Sequence, residues 1–388
     1  MGRWLREIRH ASGTSLRVVA GLAGISKSHL SRIERGEVAL DRRSDVVALA
    51  NALQIAPSEL TKTPVPAPGN GHTDSAVNAV HHALMAVSRN RPGGQVIGID
   101  ELRIRVRAVL DAGRQCRQAE VGAALPVLIR DLHTSIAAGR DVAELLHLAV
   151  MLHAQGTHAW LRVMGATVEL RSLATLVARQ AAEHRDEPTA LGLAVWVDGL
   201  VMLAAGDFDL ARAELDAVTV PTNTPESMQL AGMLALCRSL VAAADKRPAD
   251  VAAALDYAGE LAERTGEGNA YWLGFGPTNV GLWRMAAAME ARDHERAATI
   301  AENLNPWVHP NRSRQAAYWI DYGRALARMR GRHNDAVAAF RRAEAISPLH
   351  TVRNPFVREV LAELLARSRR DAAGRELRGL AYRAGLPV

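Results

Sequence analysis

From Ala76 to Val388 the chain carries one helical pattern after another and no convincing run of alternating apolar and polar residues. Ala, Leu and Arg dominate, with apolar positions recurring three and four apart, which is the period of an amphipathic helix. A sequence without period-two segments cannot build a sheet core, so the fold class is all-α. With 388 residues and 48% hydrophobic content, the chain is long enough for two or three domains with substantial cores.

Residues 61–75 interrupt this pattern with Pro64, Pro66 and Pro68 at alternate positions, then Gly69-Asn70-Gly71. Such a stretch has little to bury and reads as a linker, semi-extended in its Pro-rich half and flexible in its Gly-rich half. It should let the N-terminal unit reorient against the helices beyond it. The expected organisation is a first domain over 1–61, a linker over 62–75, an irregular helical region over 76–185 and a more periodic one over 186–388. In the irregular region the spacing predicts helices over 76–88, 99–116, 121–138, 141–163 and 166–184.

Net charge is +6, and residues 1–62 hold ten Lys or Arg against six Asp or Glu, so +4 of it sits in the first sixth of the chain. That concentration is the electrostatic footprint of a nucleic-acid-binding unit. Within it, apolar spacing predicts helices over 3–11, 15–22, 26–34 and 43–53, with a short turn from Pro57 to Leu60. Ser26 suits a helix N-cap and Gly36 the left-handed residue after a helix end. Between them Leu30 and Ile33 share one face, leaving Lys27, Ser28, Ser31 and Arg32 to project elsewhere.

Leu5-x3-Arg9, Gly13-Thr14-Ser15, Ala20-x3-Gly24-Ile25-Ser26, Leu30-Ser31-Arg32-Ile33-Glu34-Arg35-Gly36 and Leu53-Gln54-Ile55-Ala56-Pro57-Ser58-Glu59-Leu60 together resemble the lambda-repressor/Cro-like (XRE) helix-turn-helix domain. The resemblance covers about 60 residues. It implies that 26–34 is the recognition helix, whose N-terminal side chains meet base edges in the major groove. Lys27, Ser28 and Arg32 are then the base-reading candidates, since Lys and Arg donate to guanine and Ser adapts to several bases. Arg17, Ser26, His29, Arg35, Arg42 and Arg43 are candidates for phosphate contacts, although Arg42 and Arg43 equally suit a solvated charged loop. Arg9 and Glu34 match positions that form an internal ion pair in that family. The chain departs from the family pattern at Leu16, where many members place a backbone-binding Gln, and at Val18, where a capping-box Glu is common.

Further along, Ala205–Ala213, Ala291–Ala297 and Arg330–Ala336 share a turn followed by a small residue. The last continues to Ala343 and ends at Pro348, resembling the second helix of a tetratricopeptide (TPR) repeat. Ala211, Ala253, Ala297 and Ala336 are spaced by 42, 44 and 39 residues, longer than the usual repeat of about 34, so the region is TPR-like, a stacked α-solenoid with a concave face. In domain order the chain resembles the peptide-sensing regulators of Gram-positive bacteria.

Aromatic residues make up 4% of the chain, yet Tyr271, Trp272, Phe275, Trp283, Trp307, Tyr318, Trp319 and Tyr322 fall close together. They fill gaps between Ala-rich helices or line an effector pocket with polar neighbours Asn279, His309, Asn311, Arg312 and Arg314. As ligand candidates we take Tyr271, Trp272, Asn279, Trp283, Trp307, Arg312, Tyr318 and Trp319. His147, His153 and His158 do not share one helix face as a metal pair would, so no metal is expected. Asp186-Glu187 and Asp207/Asp209 read as helix-start charges. No phosphate loop, nucleophile elbow or paired-Cys motif is present, so neither an enzyme nor a cofactor is expected.

The start of the chain is charged, no long apolar run stands out, and Cys116 and Cys237 are too few for a disulfide framework, so a reduced cytoplasmic setting without a membrane is expected. The expected function is a DNA-binding transcriptional regulator whose partners are an operator, a second copy in a homodimer, and a peptide or small-molecule effector. The alternative is an adaptor that grips a protein with its helical repeats.

Overall fold

The structure is a computed structural model and describes residues 1–61, 71–367 and 372–388. All regular elements among these residues are helices. The expected linker lies mostly outside the described residues, but its last five positions, 71–75, belong to a helix.

The N-terminal unit comprises α1 (Gly2–Ala11), α2 (Leu16–Leu22), α3 (Lys27–Glu34), α4 (Arg43–Leu53) and α5 (Pro57–Thr61). Every one follows the expected helical period to within a residue or two. Leu5, Val19, Ala20, Leu30, Ile33, Leu49 and Leu60 form its core. Punctuation is as the residue types dictate: Ser15 and Ser26 cap α2 and α3 with their hydroxyls, and Gly36 leaves α3 at φ +71°.

Next come α6 (Gly71–Ser88), α7 (Ile99–Arg114), α8 (Gln118–Ala137), α9 (Val142–Met151), α10 (Ala159–Val163) and α11 (Val168–Arg185). The expected helix over 141–163 is continuous, but Leu152–His158 between α9 and α10 is wound as a π-helix. Such windings widen the turn and concentrate at functional sites.

Beyond them α12 (Pro188–Ala205), α14 (Pro225–Ala244), α16 (Pro277–Glu290) and α18 (Arg312–Ala327) stack in sequence order, each touching the next. They are followed in turn by α13 (Phe208–Asp216), α15 (Pro248–Thr265), α17 (His294–Glu302) and α19 (His333–Ile346), each folded back on its predecessor. This is an arrangement of helical hairpins. Asp207 and Asp293 cap α13 and α17 by accepting from Leu210 N and Arg296 N, at 3.2 and 3.0 Å. Ala211, Ala297 and Ala336 occupy the fourth position of α13, α17 and α19 and are fully buried. Ala253 is exposed, however, and the matching position of α15 is the half-buried Val251. The regular Ala spacing is therefore broken at the second hairpin. The chain closes with α20 (Pro348–Val352), α21 (Pro355–Arg367) and α22 (Ala372–Arg383).

Two helices, α12 and α14, do have the length and mean hydropathy of a membrane span, 1.6 and 1.4, contrary to the sequence expectation. Their windows are 56% and 89% buried inside the protein. A helix covered by neighbours on most sides loses its polar stripe, which is why their composition resembles that of a span.

The N-terminal unit is held against the helical body by charges around the start of α4. Arg43 donates to the Glu290 carboxylate at 2.6 Å through Nη1, and its backbone N–H donates at 3.2 Å. Arg42 donates to the Glu290 carbonyl at 3.0 Å and pairs with Asp45, which also accepts from Arg292 at 2.8 Å. Asp41 meets Arg328 at 3.0 Å, Arg328 pairs with Glu363, and Glu363 accepts the Ala39 N–H at 2.9 Å. Phe356 lies against the N-terminal core beneath the guanidinium groups of Arg43 and Arg324. The unit expected to reorient thus carries hydrogen bonds and ion pairs to the body. Its anchoring partners lie about 250 to 320 residues away in sequence, where no local pattern reveals them.

His153, His158, His309 and His350 are buried in the body without compensating charge, and His133 is half-buried beside His153. Burial lowers the pKa of His133 to about 4, and burial with a neighbouring Arg314 lowers that of His309 to about 3. Burial, with Arg162 and Arg314, lowers His350 to about 3, while His153 and His158 are also held well below the ordinary value by burial. These groups stay neutral in the folded chain but protonate once it unfolds, so acid favours unfolding below their unfolded value. Between pH 7.5 and 5.5 each should remove about 1 kcal/mol of stability, roughly 5 kcal/mol in all. Urea midpoints at the two pH values check this, and equal midpoints would contradict it.

Candidate nucleic-acid interface

Helix α3 presents its polar side outward because Leu30 and Ile33 bury the opposite one. Lys27, Ser28 and Arg32 are all exposed on it. The Ser26 hydroxyl accepts the His29 N–H at 3.1 Å and lies 3.2 Å from the Ser28 hydroxyl, fixing the first turn. At the other end Arg35 donates to the Ser31 hydroxyl and to Glu37, both at 2.6 Å, and Arg32 lies 3.7 Å from Glu37. Hydrogen bonding to Arg35 holds the Glu37 carboxyl below the usual carboxylate range. Arg17 is exposed on α2, close in sequence to exposed Val18 and Leu22.

A buried pair braces this helix. Arg9 donates from Nε and Nη2 to the two carboxylate oxygens of Glu34 at 2.6 and 2.9 Å, fastening α1 to the end of α3. The hydrogen bond to Glu34 raises the Arg9 pKa against the opposing effect of burial. The bidentate geometry fixes orientation as well as distance. Helix α1 also approaches α3 so closely at Gly2 that a Cβ there would fall 2.0 Å from the Ile33 carbonyl oxygen.

Residues 1–62 match the family model of a helix-turn-helix domain. No curated protein and no solved structure matches the chain. A helix-turn-helix domain points to a DNA-binding regulator rather than an enzyme.

Not every residue expected at the DNA backbone is placed alike. Arg17, Ser26 and Arg35 lie on the open side of the helix-turn-helix domain, whereas Arg42 and Arg43 turn inward to Asp45 and Glu290. Each of these two guanidiniums, expected at phosphates, has a carboxylate partner within the chain. His29 is half-buried, with Arg292 of the body 3.3 Å away. Burial lowers the His29 pKa, and the Arg292 charge adds to the effect. For Asp45, burial acts upward but hydrogen bonds and charge from Arg42 and Arg292 prevail, holding its carboxyl below the usual range.

The candidate ligand residues separate into several places. Trp272, Trp283 and Tyr318 line a cavity of about 940 Å³ between the helix-turn-helix domain and the body. Trp272 donates to Asp111 at 3.0 Å, and Tyr318 donates to the Ala301 carbonyl at 2.9 Å. Asn279 is fully buried, donating to Met233 Sδ and accepting from Arg314 at 3.0 Å. Tyr271 faces a separate, smaller cavity with His147 and Glu187. Trp319 is buried in another core beneath Arg342, while Trp307 and Arg312 are exposed. The aromatic cluster therefore does not form one surface. Arg162, Arg171, Gln155 and His350 also line the large cavity, and no sequence signal marks them; they lie one each on α10, α11, the π-helical turn and α20.

His153 lies 2.9 Å from His133 through their Nε2 atoms, and His158 sits near Arg162 and Arg171. Among the described residues no three His, Cys, Asp or Glu groups are placed to hold a metal.

Replacing Arg9 with Ala leaves the Glu34 carboxylate buried and unpaired, which should lower the local stability of α1 and α3 by about 3 kcal/mol. Hydrogen exchange of their amides in the full chain measures this. Arg9→Met combined with Glu34→Leu should recover most of the loss, and an equally unstable double variant would show that the ion pair is not the brace.

Proposed function

We propose that the protein is a cytoplasmic transcriptional regulator that reads a DNA sequence with α3 and takes an effector within its TPR-like helical body. Lys27, Ser28 and Arg32 read base edges in this account, and Arg17, Ser26 and Arg35 grip phosphates. The observation that carries the reading is the exposed, capped and braced α3: its polar side stays open to a duplex while the rest of the domain is fastened to the body. His29 contributes a phosphate contact shared with Arg292. One recognition helix spans too few base pairs for adequate specificity, so two copies of the chain bridge half-sites roughly 34 Å apart.

The anchoring of α4 gives the body a way to act on DNA binding. It does not cover α3; it fixes the angle at which α3 is presented. Two fastened heads in a dimer then match only one half-site spacing, and an effector that alters the body alters that match.

Selection from random DNA followed by footprinting should yield an inverted repeat. Lys27→Ala together with Arg32→Ala should weaken binding to it by at least about 30-fold, each base contact contributing roughly 1–3 kcal/mol, while leaving weak non-specific binding largely in place. Absence of any sequence preference, or full affinity in the double variant, would refute the assignment.

A further inference from the structure

The 940 Å³ cavity is lined by eight arginines but only three carboxylates, Glu59, Glu169 and Asp321. Arg43 and Arg324 are committed to Glu290 and Asp321, and Arg114 lies 3.5 Å from Asp111. Arg162, Arg171 and Arg314 come from three different helices and have no ion pair among the described residues. Arg314 has the Asn279 amide oxygen and the face of Trp283 as its neighbours.

Other lining groups point to the same chemistry. The Nε atoms of Arg114, Arg171 and Arg314, the indole nitrogens of Trp196 and Trp283, and Nε2 of Gln155 are buried donors with no hydrogen-bond partner. His158 Nε2 and His350 Nδ1 also lack one, and those residues are 2% and 9% exposed. Unmet buried donors are rare in folded chains because each costs free energy. Here they are collected in one cavity, beside the π-helical turn, whose Gln155, Gly156 and His158 form part of its wall. Also in the wall, Trp272 follows Tyr271 in a second successive left-handed conformation, at φ +56° and +51°, a strained arrangement for bulky residues that accompanies functional sites.

We infer that this cavity binds a phosphorylated small molecule carrying a flat ring, of the nucleotide class, with Arg162, Arg171 and Arg314 holding the phosphate and Trp272 and Trp283 bordering the ring. The inference rests on the reading of the body as the effector-binding part of a regulator. Guanidinium groups bind phosphate oxygens in pairs, and a multivalent oxyanion is the ligand that answers both an excess of positive charge and a set of unmet donors. The volume is of the size that encloses such a ligand. In the empty cavity burial and mutual repulsion act on the arginines, lowering Arg171 and Arg314 to about 10. The cavity wall includes Arg43 and Arg324, the residues that flank Phe356 at the docking contact, so occupancy and the fastening of the helix-turn-helix domain share side chains.

The test is thermal unfolding of the full chain and of its Arg162→Met and Arg314→Met variants, alone and with ADP, GDP, inorganic pyrophosphate, citrate or adenosine. A purine diphosphate at well above its dissociation constant should raise the wild-type Tm by about 3–6 °C, pyrophosphate by less and adenosine not at all. Both variants should lose that response. Unliganded, neither should melt lower than the wild type: Arg162 is exposed and has no ion pair, and at Arg314 removal of a half-buried unpaired charge offsets the hydrogen bond lost to Asn279. A fall in unliganded Tm would show that the arginines serve the fold, and a larger shift with citrate or adenosine would assign different chemistry; either overturns the inference. A wild-type chain that protects its DNA site yet responds to no phosphate-bearing probe would refute the ligand alone and leave the DNA-binding account standing.

Discussion

The arrangement depends on a set of charges that the chain brings together from its two ends. Asp41, Arg42, Arg43 and Asp45 enter a site completed by Glu290, Arg292, Arg328 and Glu363, and most of these groups are largely withdrawn from water. Moving charges out of water is costly, and the attraction between them repays this only when geometry is good and remaining donors are met. Such a set adds little net stability compared with apolar residues of the same size. It does penalise every other orientation, because a displaced domain leaves carboxylates and guanidiniums buried without partners. Orientation, rather than raw affinity, is what the contact supplies.

This gives the helix-turn-helix domain two distinct sides. One side is closed by Arg42, Arg43 and Phe356 against the body, and the other displays Lys27, Ser28 and Arg32 to solvent. The Arg9–Glu34 pair transmits position within the domain, tying α1 to α3. Geometric control of this kind needs no masking of the reading helix, only a body with more than one packed arrangement. The large cavity sits where such a change would be felt, since its wall includes α4, α5 and the π-helical turn.

Much of the fold was legible because helix formation is locally encoded. Ser26 and Gly36 announce the ends of α3, and the apolar spacing places α1 to α5 and α7 to α11 close to their observed bounds. The Arg9–Glu34 pairing was also readable, through resemblance. What escaped local reading is non-local. Arg42 and Arg43 look like any charged loop until Glu290 is beside them, and Arg162, Arg171 and Arg314 each look like the wet edge of an amphipathic helix until three helices converge. The π-helical turn holds a single glycine, Gly156, inside an otherwise unbroken helical pattern, so a continuous helix was the natural expectation. Ala253 misled because an Ala-rich helix offers several equivalent small residues, and only burial selects among them.

The central claim is that the helix-turn-helix domain is fastened to the body in one orientation. Electron–electron distance spectroscopy tests it directly, with spin labels at the exposed positions Glu7→Cys and Glu295→Cys and with Cys116 replaced by Ser, Cys237 being fully buried. The account predicts a single narrow distance distribution that broadens when Glu290→Gln and Glu363→Gln are introduced together. A broad distribution in the otherwise unaltered chain, spanning tens of ångströms as a flexible linker would allow, would contradict it.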